Sequence, residues 1–88
     1  MGVVAKQVDV TSTTIFSASS SAYNDEVTIQ NLGPNPIYID FGEAATTAGS
    51  MQLPAGAVYT CKGNEDITAI TTVLQVTPND TRVSVERN

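Results

Sequence analysis

Apolar and polar residues alternate along this chain in short bursts, separated by clusters of Gly, Pro, Asn and Ser. Side chains on one face of a strand recur every second residue, so each burst predicts a short β-strand. The clearest is Ile37–Phe41, where Ile37, Ile39 and Phe41 share a face and Tyr38 and Asp40 take the other. Glu26–Asn31 follows the same rule with Val27 and Ile29 inward, and residues 81–87 repeat it with Val83 and Val85 inward and Arg82, Ser84 and Glu86 outward. Weaker bursts predict strands over residues 4–10, 13–16, 51–53, 57–62 and 67–72, the last continuing or bending through 73–77.

The punctuation between bursts is equally regular. Leu32-Gly33-Pro34-Asn35-Pro36 joins two strands either as a β-hairpin or as a tight corner between two sheets. Residues 42–50 form one helical turn ended by Gly49, or a long loop. Ser17-Ala18-Ser19-Ser20-Ser21 is polar and low in complexity, which marks a connector. Turns are expected at 54–56, 63–66 and 78–80, and no 3.6-residue periodicity is sustained anywhere. In residues 4–10, Val4, Val8 and Val10 share a face that Lys6 interrupts, as on an edge strand. The expected fold is all-β: a small antiparallel β-sandwich or barrel of about seven to eight short strands. It forms one domain, residues 1–88, with 1–21 as an N-terminal arm or edge strand plus the Ser-rich connector.

Composition narrows how such a domain is stabilised. A chain of 88 residues buries only about 60–65% of its unfolded surface, so its core alone leaves it marginal. One cysteine excludes an internal disulfide, and a single Cys with no His excludes a zinc site of the usual kind. Self-association or docking on a larger body is then the expected supplement. Four cations against a net charge of -5 argue against binding to nucleic acid or to an anionic membrane. Residues 1–6 lack the pattern of a signal peptide, and no apolar run approaches the roughly 20 residues of a membrane helix, so synthesis in the cytoplasm is expected.

The candidate chemistry is sparse, and the chain is expected not to be an enzyme. Cys61 and the many serines have no histidine to act as a base, which favours a core thiol and solvated hydroxyls. The Asp25-Glu26 and Glu65-Asp66 pairs stand at strand entrances, where neighbours point to opposite faces and do not converge. Their spacing is not that of a dedicated calcium loop, so no metal and no cofactor are expected. Tyr23, Tyr38 and Tyr59 combine apolar rings with polar tips, as partner-binding side chains do. The positions expected to meet a partner are Val4, Lys6, Val8 and Tyr38. Asn79-Asp80-Thr81 matches the N-glycosylation pattern and, without a signal peptide, is expected to be a turn. A small carbohydrate- or protein-binding module is the alternative expectation.

From Val27 onward, the phrase Val27-Thr28-Ile29-Gln30-Asn31-Leu32-Gly33-Pro34-Asn35-Pro36-Ile37-Tyr38-Ile39 resembles a strand–turn–strand unit of small tailed-bacteriophage virion proteins. Thr47 to Gly56, Ile67-Thr68-Ala69-Ile70 and Thr81 to Glu86 continue the likeness, which covers roughly the last two-thirds of the chain. It implies a capsid decoration, cement or head-fibre protein, commonly trimeric. Such a protein is made in the host cytoplasm, docks on the major capsid protein or another virion protein, and works in the virion. By the same analogy residues 1–21 would be an arm reaching the shell or a neighbouring subunit.

Overall fold

Eight strands form two four-stranded antiparallel sheets in the computed structural model, which describes residues 2–74 and 81–88. In chain order they are β1 (Gly2–Gln7), β2 (Thr13–Phe16), β3 (Glu26–Asn31), β4 (Ile37–Phe41), β5 (Met51–Leu53), β6 (Val58–Lys62), β7 (Ile67–Thr71) and β8 (Arg82–Arg87). The first sheet has the order β1-β8-β3-β6 and the second β2-β7-β4-β5. The chain is an all-β sandwich, with a single 3-10 turn at Ser20–Ala22 and no α-helix among the described residues. The expected turn at 78–80, the extension over 75–77 and the first two residues of the Asn79-Asp80-Thr81 pattern lie outside the described residues.

Alternation dictates the core. Val27 and Ile29 of β3 and Val83 and Val85 of β8 point in from the first sheet. Ile37 and Ile39 of β4, Leu53 of β5 and Ile67 and Ala69 of β7 meet them from the second. Burying each large aliphatic side chain stabilises the fold by about 1.5–3 kcal/mol. Only the β4–β5 connection stays within a sheet; every other one crosses between the layers. The Leu32–Pro36 segment is accordingly the corner between sheets, not a hairpin.

Asn31 holds that corner. It follows Val27 and Ile29 on the inward parity and is fully buried. Its Nδ2 donates to the Asn35 carbonyl at 2.8 Å and the Leu53 carbonyl at 2.9 Å, and its Oδ1 accepts from the Gly33 N–H at 2.9 Å. One amide thus pins the turn to itself and to β5. A buried amide with both ends matched in this way stabilises the fold, and unmatched it would cost.

Residues 42–50 make a loop, not a helix, and it lies over the outer face of the second sheet. Thr68 Oγ1 donates to the Glu43 carbonyl at 2.7 Å, the Ala45 N–H donates to Ser12 Oγ at 2.9 Å, and Ser50 Oγ donates to Asp40 Oδ2 at 2.9 Å. Ala45 is buried as a result.

Two expectations for the N-terminal strand need correction. The strand covers Gly2–Gln7, not residues 4–10. Val8 lies just past it and is fully buried, while Val10 is exposed. The strand ends because the chain there turns toward the second sheet: Val8 N–H donates to the Thr81 carbonyl and Asp9 accepts from Thr71 N–H, both at 2.9 Å. Val8 is therefore a core residue and offers no surface to a partner. Similarly β7 ends at Thr71, one residue short of expectation, with Val73 and Leu74 beyond it and exposed.

Candidate partner-binding edge

The inner face of the sandwich is open at one side. Among the described residues β1 is an edge strand and pairs only with β8, in the register Val4↔Val85 and Lys6↔Val83. Directly paired residues share a face, so Val4 and Lys6 point the same way as the core valines of β8. Val85 is 5% exposed, yet its neighbour Val4 is 51% exposed. The second sheet does not reach far enough to cover β1.

A groove of about 380 Å³ results, lined by Val4 and Lys6 of β1, Ile15 and Phe16 of β2, Val85 and Arg87 of β8, and Ser17. Its floor is aliphatic and aromatic, and it carries two of the four cations of an acidic chain. Arg87 is engaged: its Nε donates to Asp25 Oδ2 at 2.8 Å and its Nη2 to Ser21 Oγ at 3.1 Å. Lys6 is exposed and has no partner among the described residues.

The backbone of β1 is open on the same side. Val8 N–H bonds to Thr81, and Lys6, Val4 and Gly2 continue that register with Val83, Val85 and Arg87. In an antiparallel pair, hydrogen-bonded positions recur every second residue. The main-chain groups of Gly2, Val4 and Lys6 therefore face β8, and those of Val3, Ala5 and Gln7 face away from the sheet. Val3 is 64% exposed.

Tyr38, the fourth residue expected to meet a partner, is on the outer face of the second sheet between Gln52 and Ile70, half-buried. It is on the opposite side of that sheet from the groove and does not join Val4 and Lys6. The three tyrosines do not form one platform either. Tyr59 points inward from β6 and packs on Phe41 with ring centroids 5.9 Å apart, and Tyr23 is exposed after the 3-10 turn.

Both acidic pairs have structural partners. Asp25 holds Arg87, and its carbonyl accepts from Gly63 N–H. Asp66 Oδ1 accepts from Ala18 N–H at 2.7 Å. No group of three His, Cys, Asp or Glu is placed to hold a metal among the described residues. Cys61 is half-buried beside the core, and burial pushes its thiol above its ordinary pKa of 9.0. That is the reverse of what a nucleophilic cysteine requires.

Sequence reasoning singled out Lys6 and Val4 because a charge interrupts an apolar face there. It missed Ile15, Phe16, Val85 and Arg87, whose part in the groove depends on how far one sheet overhangs the other. No protein-family model, curated protein or solved structure matches this chain.

Proposed function

We propose that this protein is a non-enzymatic structural component of a bacteriophage particle, a decoration or cement protein that docks on the major capsid protein and stabilises the shell. The observation that carries the reading is the uncovered inner face at β1, where Val4 is half-exposed beside Val85 in the core. A domain this small gains stability when a neighbour completes that face. A protein that binds only the assembled shell stabilises it by mass action. The likeness of roughly the last two-thirds of the chain, from Val27 onward, to phage virion proteins agrees with this reading. Homo-oligomerisation, with a trimer favoured, belongs to the same proposal.

The test is co-expression with the neighbouring structural genes, followed by gradient purification of the shells. The chain is expected to sediment with them and to raise their melting temperature, and light scattering of the free protein is expected to give a multiple of the 9.2 kDa protomer. A strict monomer absent from the shell fractions would refute the reading.

A further inference from the structure

We infer that the β1 edge captures an extended strand from a different protein, one that presents an acidic residue and, two positions later, an aliphatic one. The inference takes the partner's identity from the virion reading and its chemistry from the groove alone. Three features coincide at this edge: outward main-chain groups at Val3, Ala5 and Gln7, an open apolar floor at Val4 and Val85, and an unpartnered ammonium at Lys6.

An incoming strand antiparallel to β1 bonds to Val3, Ala5 and Gln7. Its residues opposite Lys6 and Val4 then occupy the non-hydrogen-bonded positions, where Cα atoms are about 4.5 Å apart and side chains touch. Both side chains point into the groove. The one opposite Lys6 meets an ammonium and must be a carboxylate. The next on that face meets Val4, Val85 and Phe16 and must be aliphatic. Lys6 and Val4 are roughly 7 Å apart along the strand, at about 3.3 Å per residue, so the groove seats the two side chains of one face that lie opposite them.

Another copy of this chain does not fit. Among the described residues its four edge strands are β1, β2, β5 and β6. They read Gly-Val-Val-Ala-Lys-Gln, Thr-Thr-Ile-Phe, Met-Gln-Leu and Val-Tyr-Thr-Cys-Lys, without one carboxylate. Pairing β1 with itself adds a second lysine to the seam. An inward-facing lysine on an edge strand discourages pairing with purely apolar strands. Here it also selects the strand that is accepted.

The test uses two capped hexapeptides, Thr-Glu-Thr-Val-Thr-Ser and the same sequence with Lys in place of Glu, titrated into the full chain at low ionic strength and followed by amide NMR shifts. The first peptide is expected to shift Val3, Ala5 and Gln7 together with Ile15 and Phe16. The lysine peptide is expected to bind about tenfold more weakly, and Lys6→Glu is expected to reverse that order. Equal binding of both peptides, shifts confined to other strands, no shifts, or self-association through β1 would each overturn the inference. Because the wild-type comparison needs no variant, a folding defect in Lys6→Glu leaves the test intact. Capsid binding unaffected by Lys6→Glu in a folded protein would also overturn it while sparing the virion reading. Peptide capture without capsid binding would refute the virion reading and sustain this one.

Discussion

Asn31→Ala is the most informative single perturbation of the fold. It removes an amide that makes three hydrogen bonds and leaves the Gly33 N–H and the Leu53 carbonyl without them; both residues are buried. The Asn35 carbonyl, on a half-buried residue, recovers water more readily. Each buried group stranded in this way costs about 1–3 kcal/mol, so the loss for the two is about 2–6 kcal/mol. At about 0.05–0.15 kcal/mol per residue, the whole domain has only about 4–13 kcal/mol to lose. The assay is urea unfolding at 25 °C followed by tyrosine fluorescence and far-ultraviolet circular dichroism. The variant is expected to unfold at a much lower midpoint, with the slope unchanged. Asn31→Asp is expected to be worse at pH 7 than at pH 4. Its ionised carboxylate faces two carbonyl oxygens, whereas the protonated form can donate to one. A loss below about 1 kcal/mol for Asn31→Ala would show that water or a local shift satisfies these groups and that the corner does not depend on the amide.

Three further outcomes follow from single contacts. Gly63→Ala places a Cβ 2.5 Å from the Ala22 carbonyl oxygen, so the backbone must move, and a loss of about 1–3 kcal/mol is expected by urea denaturation. Asp25→Asn removes the charge opposite Arg87, at a site that is 37% and 36% exposed on its two sides, and leaves the hydrogen bond of Arg87 to Ser21 in place. It is expected to cost under about 1 kcal/mol, with the difference fading at about 0.5 M salt. Cys61, whose neutral form is favoured by burial, is expected to react with Ellman's reagent more slowly at pH 8 than a free thiol, and at the free rate in urea. The linked stability is fully present below the ordinary pKa of 9.0 and declines as pH rises through the higher folded value, which melting curves from pH 7 to 11 would detect.

Where strands alternate cleanly, the sequence was readable to the residue. β3 and β4 have the bounds their patterns predict, because Val27/Ile29 and Ile37/Ile39 leave only one register that buries the apolar set. β1 was not so readable, since a period of two continues through Val8 and Val10 although the backbone has already left the sheet. Local alternation cannot report a turn whose hydrogen bonds go to Thr81 and Thr71. Gly33, Pro34 and Pro36 mark a turn but are neutral between a hairpin and a corner. The role of Asn31 was visible only as its place on the inward parity of β3; its partners Leu53 and Asn35 are supplied by the tertiary fold. At the candidate edge, Lys6 on an apolar face was a sequence signal. The groove beneath it was not, because it arises from two sheets of unequal reach.

Residue-resolved amide hydrogen exchange along β1 tests the central claim most directly. An open edge predicts alternation, with Val4 and Lys6 protected by their bonds to β8 and Val3, Ala5 and Gln7 exchanging fast in the free protein. The three fast amides are then expected to slow when the acidic peptide is bound. Uniform protection across Val3 to Gln7 in the free protein, or uniformly fast exchange, would contradict it: the edge would be already covered, or the strand would not belong to the sheet.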